Sequence, residues 1–215
     1  MSFRLRNKQS VMIHPDARFI LNEIYLEAVY DVAGVDFADC RSVLDLGADV
    51  GVFALYVASK APNSTVYCFE PGSDNFTLLK RNLSQNRILA NSYRVAVSGQ
   101  CGTGYLSVRR TSFTHALGDA AEGAEAVECV DMAHVFQLTG VERFDFVKMD
   151  VEGAEADILN GCTDEDLGRI GALSVEGHHS AAKLPDLVNR LTGIGFEVQP
   201  QECQSHLFLK ARWAA

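Results

Sequence analysis

Apolar runs of the ~20 residues that a membrane-crossing helix needs are missing from this sequence, and so is any C-x-x-C pair among its six cysteines. The first absence argues against a helical membrane span, the second against a zinc or dithiol motif. Cys40, Cys68, Cys101, Cys129, Cys162 and Cys203 are scattered, several inside strand-like runs such as "TVYCFE", and are expected to be free buried thiols. Basic residues are scarce as well: 19 Lys and Arg stand against 28 Asp and Glu, for a formal net charge of −9. The largest basic clusters are the pairs Lys80-Arg81 and Arg109-Arg110. No nucleic-acid partner is expected, since a phosphate backbone is normally met by a basic patch. No signal-peptide apolar core follows "MSFRLRNKQS", which leaves the cytoplasm as the expected compartment and no membrane partner. Internal repeats, low-complexity tracts and linker-like stretches are also lacking. The 215 residues are therefore expected to form one globular unit, with 1–40 as an N-terminal helical cap segment and 41–215 as the main domain.

What is present is an alternation of short apolar strands with amphipathic helices, the pattern of an α/β sheet. The spacing predicts a helix over 16–33, a strand at 42–48, a helix at 49–61 and a second strand at 65–70. A helix at 74–86 and a third strand at 92–98 follow. The rhythm then breaks: "GTGYLSVRR" (102–110) alternates like a hairpin strand, and 111–126 reads as a loop long enough to be a lid. A short strand and helix in 127–138 lead to "DFVKMDVEGAEADILNG" (145–161), a buried-strand run that turns into a helix. Strand-like "GALSVEGHH" (171–179), a helix around 183–193, "FEVQP" (196–200) and "SHLFLKARW" (205–213) complete the chain.

"VLDLGADVGVFA" is a strand, a glycine turn and a helix, an arrangement that lets a ligand approach the backbone at the carboxyl end of a parallel sheet. A dinucleotide site would want G-x-G-x-x-G. Here Gly47 and Gly51 are separated by Ala48, Asp49 and Val50, so the central glycine is lacking. The pattern D-x-G-x-x-x-G better suits a nucleoside without phosphates whose amino-acid tail lies against the turn, with Asp45 placed to hold its ammonium group. Glu70, 23 residues after Gly47, ends the second strand, where a carboxylate can accept both ribose hydroxyls. Alone, such a glutamate is usually just solvated. Together with the turn it points to S-adenosylmethionine rather than a nicotinamide cofactor.

"VLDLGADVGVFAL", "VYCFEPGSDNFTLLKRNLSQN", "FDFVKMDVEGAEADILNG" and "LSVEGH" stand in this order. Together they resemble the FkbM-type S-adenosylmethionine-dependent methyltransferases over about residues 40–200. The resemblance implies a Rossmann-like class I methyltransferase fold: an α/β architecture with a mostly parallel twisted sheet, helices on both faces and an antiparallel last strand, matched by "HLFLKARW". It implies O-methylation of a hydroxyl on a small molecule, a natural product or sugar. The implied cofactor-binding set is Asp45, Gly47, Asp49, Gly51, Glu70, Pro71, Val97 and Asp150. The family's turn usually reads G-A-N-I-G, and Asp49 replaces its asparagine, bringing an extra carboxylate near the cofactor's own.

Methyl transfer from a sulfonium to a hydroxyl is an in-line displacement that needs near-attack geometry and removal of the acceptor proton, by a base or through a metal. Asp150 ends its strand at the right edge. Lys148, two residues earlier, shares its face and is expected to pair with Asp150 or Glu152. Glu176 and His178 end the neighbouring strand on one face. Two versions follow. In the first, His178 or Glu176 takes the proton while Asp150 orients substrate or cofactor. In the second, Asp150 and Glu176, joined or not by His178, hold Mg²⁺ that binds the acceptor oxygen. Glu155 and Asp157 belong to a helix start, where an acid favours the dipole by about 0.3–1 kcal/mol, and need no active-site role. His134 and His206 are expected to be structural, His179 solvated, and His115 solvated or on a substrate lid. Two rival readings are an NAD-dependent oxidoreductase, which the turn's missing glycine disfavours, and a non-catalytic cofactor-binding protein of the same fold. N-methylation also stays open.

Overall fold

The computed structural model describes residues 1–108, 115–118, 124–177, 184–203 and 206–214. A hairpin of β1 (Ser2–Arg4) and β2 (Ser10–Met12) precedes α1 (Phe19–Tyr25). Then β3 (Ser42–Leu46), α2 (Val52–Lys60), β4 (Thr65–Phe69), α3 (Ser73–Gln85) and β5 (Ala90–Tyr93) alternate. β6 (Ala96–Val97), β7 (Gly102–Val108), β8 (His115–Gly118) and β9 (Glu125–Val130) make a separate small sheet. The remainder is α4 (Met132–Thr139), β10 (Phe144–Met149), α5 (Glu155–Gly161), α6 (Asp164–Gly168), β11 (Ile170–Gly177), α7 (Leu184–Gly193), β12 (Phe196–Cys203) and β13 (His206–Trp213).

The large sheet runs β12-β13-β11-β10-β3-β4-β5. Neighbours from β11 to β5 pair parallel, and β13 inserts antiparallel between β11 and β12. The chain winds outward from β3 through β4 to β5 and then returns with β10 on the other side of β3. Strand order therefore reverses between β3 and β10, and open parallel sheets bind ligands at the carboxyl ends of strands at such a point.

Strands buried on both faces must be apolar on both, and the side chains divide accordingly. Val43, Val66, Cys68 and Phe146 pack with Ile24 and Phe53 on one side of the sheet. Leu44, Leu46, Phe69 and Val147 pack with Val135, Ile158 and Leu191 on the other. Residues 1–40 belong to the first of these layers, since Val11, Ile13, Ile24, Val29 and Tyr30 are part of the same core. Buried Asn82 of α3 fastens that segment: it accepts from Met12 N at 2.8 Å and donates to Met12 O at 2.9 Å and Val50 O at 2.7 Å. One amide thus ties β2 to the glycine turn.

The architecture is the expected one, but three local expectations change. The helix expected over 16–33 is a 3₁₀ turn at Pro15–Ala17 followed by α1, which stops at Tyr25. Ala28 takes a left-handed φ of 50° and the chain turns inward to bury Val29, Tyr30 and Val32, so tertiary burial overrides helical propensity. The third strand splits after Tyr93: β5 extends the large sheet, whereas β6 pairs parallel with β9 in the small one. The 111–126 segment holds β8, paired antiparallel with β7, and the start of β9. Among the described residues no helix is long and apolar enough to cross a membrane.

Candidate active site

The turn after β3 depends on two glycines in the left-handed region, Gly47 at φ 72° and Gly51 at φ 88°. At Gly47 even a methyl group is excluded, because a Cβ there would lie 1.7 Å from Asp150 O. That close approach draws the carboxyl ends of β3 and β10 together. The N–H groups of Gly47 and Ala48 both donate to Phe69 O at 3.0 Å, which seats the turn on β4. Asp49 also has positive φ, 46°, a conformation that Asn and Asp tolerate better than other residues with a side chain. The backbone requirement accounts for an aspartate where the family pattern has asparagine. Burial pushes the Asp49 carboxyl above its ordinary value. Glu70, buried at the end of β4, accepts from Asp49 N at 2.9 Å with Oε2 and from Gly72 N at 2.8 Å with Oε1. Burial, reinforced by the charge of Asp49, pushes its carboxyl up to about 8. The turn backbone, Glu70 and the half-buried Pro71 beside it are the groups that could hold a nucleoside-type cofactor.

Beneath the turn, Asp45 of β3 and Lys148 of β10 are register partners on one face. Lys148 Nζ lies 3.2 Å from Asp45 Oδ1 and 3.5 Å from Asp150 Oδ2, and it donates to Gly47 O at 2.6 Å. Burial alone would lower the lysine's pKa; Asp45 and Asp150 more than reverse this and hold it above its ordinary value. One expectation is corrected here, and another, the pairing of Lys148 with Asp150, is met and extended. Asp45 is fully buried, so the ammonium it serves is that of Lys148 and not a ligand's. Lys148 in turn pairs first with Asp45 and only then with Asp150, while Glu152 sits in the following turn at a φ of 60°.

Asp150 and Glu176 are brought together, as expected, but through a residue that sequence reasoning missed. The buried Tyr30 places its hydroxyl 2.8 Å from Asp150 Oδ2 and 2.7 Å from Glu176 Oε2. A phenol has one proton to give, so it serves two carboxylates with a single donor. Burial first, then these two acids, hold Tyr30 well above its ordinary pKa, keeping it a neutral donor. Glu176 Oε1 meets His206 Nδ1 at 2.5 Å, and the His206 side chain is 43% exposed. His206, expected to be structural, is therefore the partly solvated end of a chain His206–Glu176–Tyr30–Asp150. Glu23 of α1 approaches the same group; burial, then Glu176, raises its pKa.

The Mg²⁺ expectation does not fit this geometry. A hard cation wants several oxygens around open room, whereas the Tyr30 hydroxyl fills the space between Asp150 and Glu176, and Lys148 already supplies positive charge to Asp150. His178 and His179 lie outside the described residues, and of His115 only its backbone position in β8 is described. Val97, expected at the cofactor, is buried in the core beneath the sheet with Phe69 and Val130, because the chain changes sheets before reaching it. Glu155 is more than a solvated helix-start acid: it is buried and accepts from Val151 N at 3.2 Å and Gly153 N at 3.1 Å, clamping the loop that follows Asp150. No local pattern marks Tyr30. For His206 a signal existed in topology, since a last strand set antiparallel beside β11 brings its start against the end of β11, with Leu207 opposite Gly177.

Comparison with known proteins matches residues 45–198 to the Methyltransferase FkbM domain. "Methyltransferase 1" of Beauveria bassiana is 28% identical over 227 residues, covering 91% of this chain and 88% of that protein. The "31-O-demethyl-FK506 methyltransferase FkbM" of Streptomyces tacrolimicus is 29% identical over 224 residues, covering 87% and 84%. Among solved structures, the METTL16 methyltransferase domain superposes with a TM-score of 0.61 at 15% identity, over 98% of this chain and 75% of that one. The last similarity establishes the fold alone, a class I Rossmann-like methyltransferase sheet. The family match removes the nicotinamide-linked oxidoreductase reading.

Proposed function

Because the chain belongs to the FkbM family of methyltransferases, we propose that it is an S-adenosylmethionine-dependent enzyme that methylates a hydroxyl on a small molecule. The observation that carries this reading is the His206–Glu176–Tyr30–Asp150 chain, which ends beside the glycine turn and gives an acceptor hydroxyl somewhere to send its proton. A relative named for 31-O-demethyl-FK506 supports an oxygen acceptor on a small molecule.

The donor set fits the cofactor. Glu70 presents a carboxylate suited to a ribose diol, the left-handed glycines expose the turn backbone, and no phosphate-binding glycine triplet is present. When bound, S-adenosylmethionine supplies the methyl group, its carbon–sulfur bond breaking as the acceptor's carbon–oxygen bond forms. Asp150, whose side chain is 24% exposed, takes the acceptor proton. It returns a proton to the Tyr30 oxygen as the phenol gives its own to Glu176, and His206 carries the charge to solvent. Lys148, 3.5 Å from Asp150 Oδ2, holds that carboxylate in place for this task.

Calorimetry with S-adenosylhomocysteine, followed by transfer assays on a panel of hydroxyl- and amine-bearing acceptors, tests the reading. Wild-type chain should bind. Glu70→Ala should weaken binding by about 10–100-fold, the worth of hydrogen bonds to a charged group. Tyr30→Phe should keep binding and lower turnover, with a displaced pH–rate profile. Absence of binding at high micromolar ligand, or transfer to amines alone, overturns it.

A further inference from the structure

Cys101 immediately precedes β7, Asp131 follows β9 and caps α4, and His134 stands in the first turn of α4. β7 and β9 pair antiparallel with Gly102 opposite Cys129, so the ladder of the small sheet fixes Cys101 against Asp131. The helix cap fixes His134, whose backbone N–H donates to Asp131 Oδ1 at 2.9 Å. One donor atom from each of the three side chains lies within 4.8 Å of the others. Cys101 Sγ is 3.2 Å from His134 Nδ1, Asp131 Oδ1 is 2.8 Å from that same nitrogen, and Asp131 N donates to the sulfur at 3.4 Å.

Sulfur and carboxylate thus converge on one ring nitrogen. A nucleophile–base–acid triad needs the opposite, with its two partners on different imidazole nitrogens. Three ligand atoms from different residues within 4.8 Å of one another are instead what a metal ion can use. From this geometry we infer that Cys101, Asp131 and His134 form a zinc-binding site. Zinc–ligand bonds of about 2.0–2.3 Å in tetrahedral geometry put the ligand atoms about 3.4–3.6 Å apart. The two pairs that involve His134 Nδ1 need to open by roughly half an ångström to reach that spacing, which half-exposed side chains achieve by small torsional adjustments. Thiolate with imidazole selects zinc over magnesium or calcium, which prefer all-oxygen sites. Three protein ligands leave one position for water or another donor. The ion would clasp the start of β7 to the start of α4, on the sheet opposite in role to the one that carries Asp150 and Glu176. Among the six cysteines Cys101 alone is exposed, which makes its thiol separately addressable.

The test is titration of the reduced, chelator-stripped full chain with Zn²⁺, and in parallel with Co²⁺ as a spectroscopic probe. The wild-type chain should take up a single equivalent of zinc, gain thermal stability with it, and show a thiolate-to-cobalt charge-transfer band. Cys101→Ser should abolish the band and, like His134→Ala, weaken zinc binding at least about ten-fold, with circular dichroism confirming a retained fold. Cys203→Ser should leave both readouts intact. Failure of the wild-type chain to bind zinc at tens of micromolar, or binding that persists unchanged in Cys101→Ser, overturns the assignment.

Discussion

Glu70 and Glu176 end parallel strands of one sheet and are almost equally buried, at 5% and 7% exposure, yet different parts of the chain hold them. Glu70 is gripped by backbone N–H groups of Asp49 and Gly72, one in the adjoining turn and one two residues on. Glu176 is gripped by side chains, Tyr30 and His206, the first of them 146 residues away in sequence. Backbone donors come with the fold and survive most substitutions. Side-chain donors can be exchanged, lost or titrated one at a time. On the proposed reading, the cofactor side is thus rigid by construction and the acceptor side adjustable.

Lys148 is the charge both sides share, and removing it should have the largest effect. Lys148→Met leaves Asp45 buried without its partner, so chemical denaturation should show a loss of about 3–5 kcal/mol; a loss below about 1 kcal/mol would mean the ion pair does not anchor the site. The next largest effect separates the two glutamates by pH. Glu70 has an ordinary value of 4.5 and a folded value of about 8, so the folded chain holds its proton more tightly than the unfolded one. Its contribution is therefore present at acid pH and is lost as pH climbs from about 4.5 through about 8. Across that window wild-type stability should fall relative to Glu70→Gln by on the order of a few kcal/mol, and parallel curves would refute the assignment. On the side-chain-held half, Tyr30→Phe should lower stability by only about 1 kcal/mol. Its signature should be a displaced pH–rate profile with cofactor affinity intact; a profile that does not move would make Tyr30 a packing residue. The smallest effect belongs to Asp49→Asn, expected within about 0.5 kcal/mol of wild type, because both residues accept the left-handed backbone.

The same division decided what could be read in advance. The turn, Glu70, Asp150 and Glu176 were legible because strand ends and glycine spacing fix them locally. Tyr30 was not, because 16–33 has helical periodicity and only the burial of Val29, Tyr30 and Val32 bends the chain out of it. Asp45 was located but misassigned: which residue faces it depends on the register of β3 against β10, a pairing between residues about a hundred positions apart that no local pattern reports. His206 needed the position of β13 between β11 and β12. Glu155 was correctly placed at a helix start, but its burial and its grip on Val151 and Gly153 are products of packing.

The insertion of β13 between β11 and β12 has a consequence during synthesis. The strands that carry the turn and Glu70, β3 and β4, are synthesised before β10, β11 and β13. The strand that delivers His206 emerges after β12 and enters the middle of that wing of the sheet, not its margin. A chain stalled before β13 can therefore carry the turn yet lack the His206–Glu176 contact. On the proposed reading, competence for the reaction waits on β13, however early the turn is made.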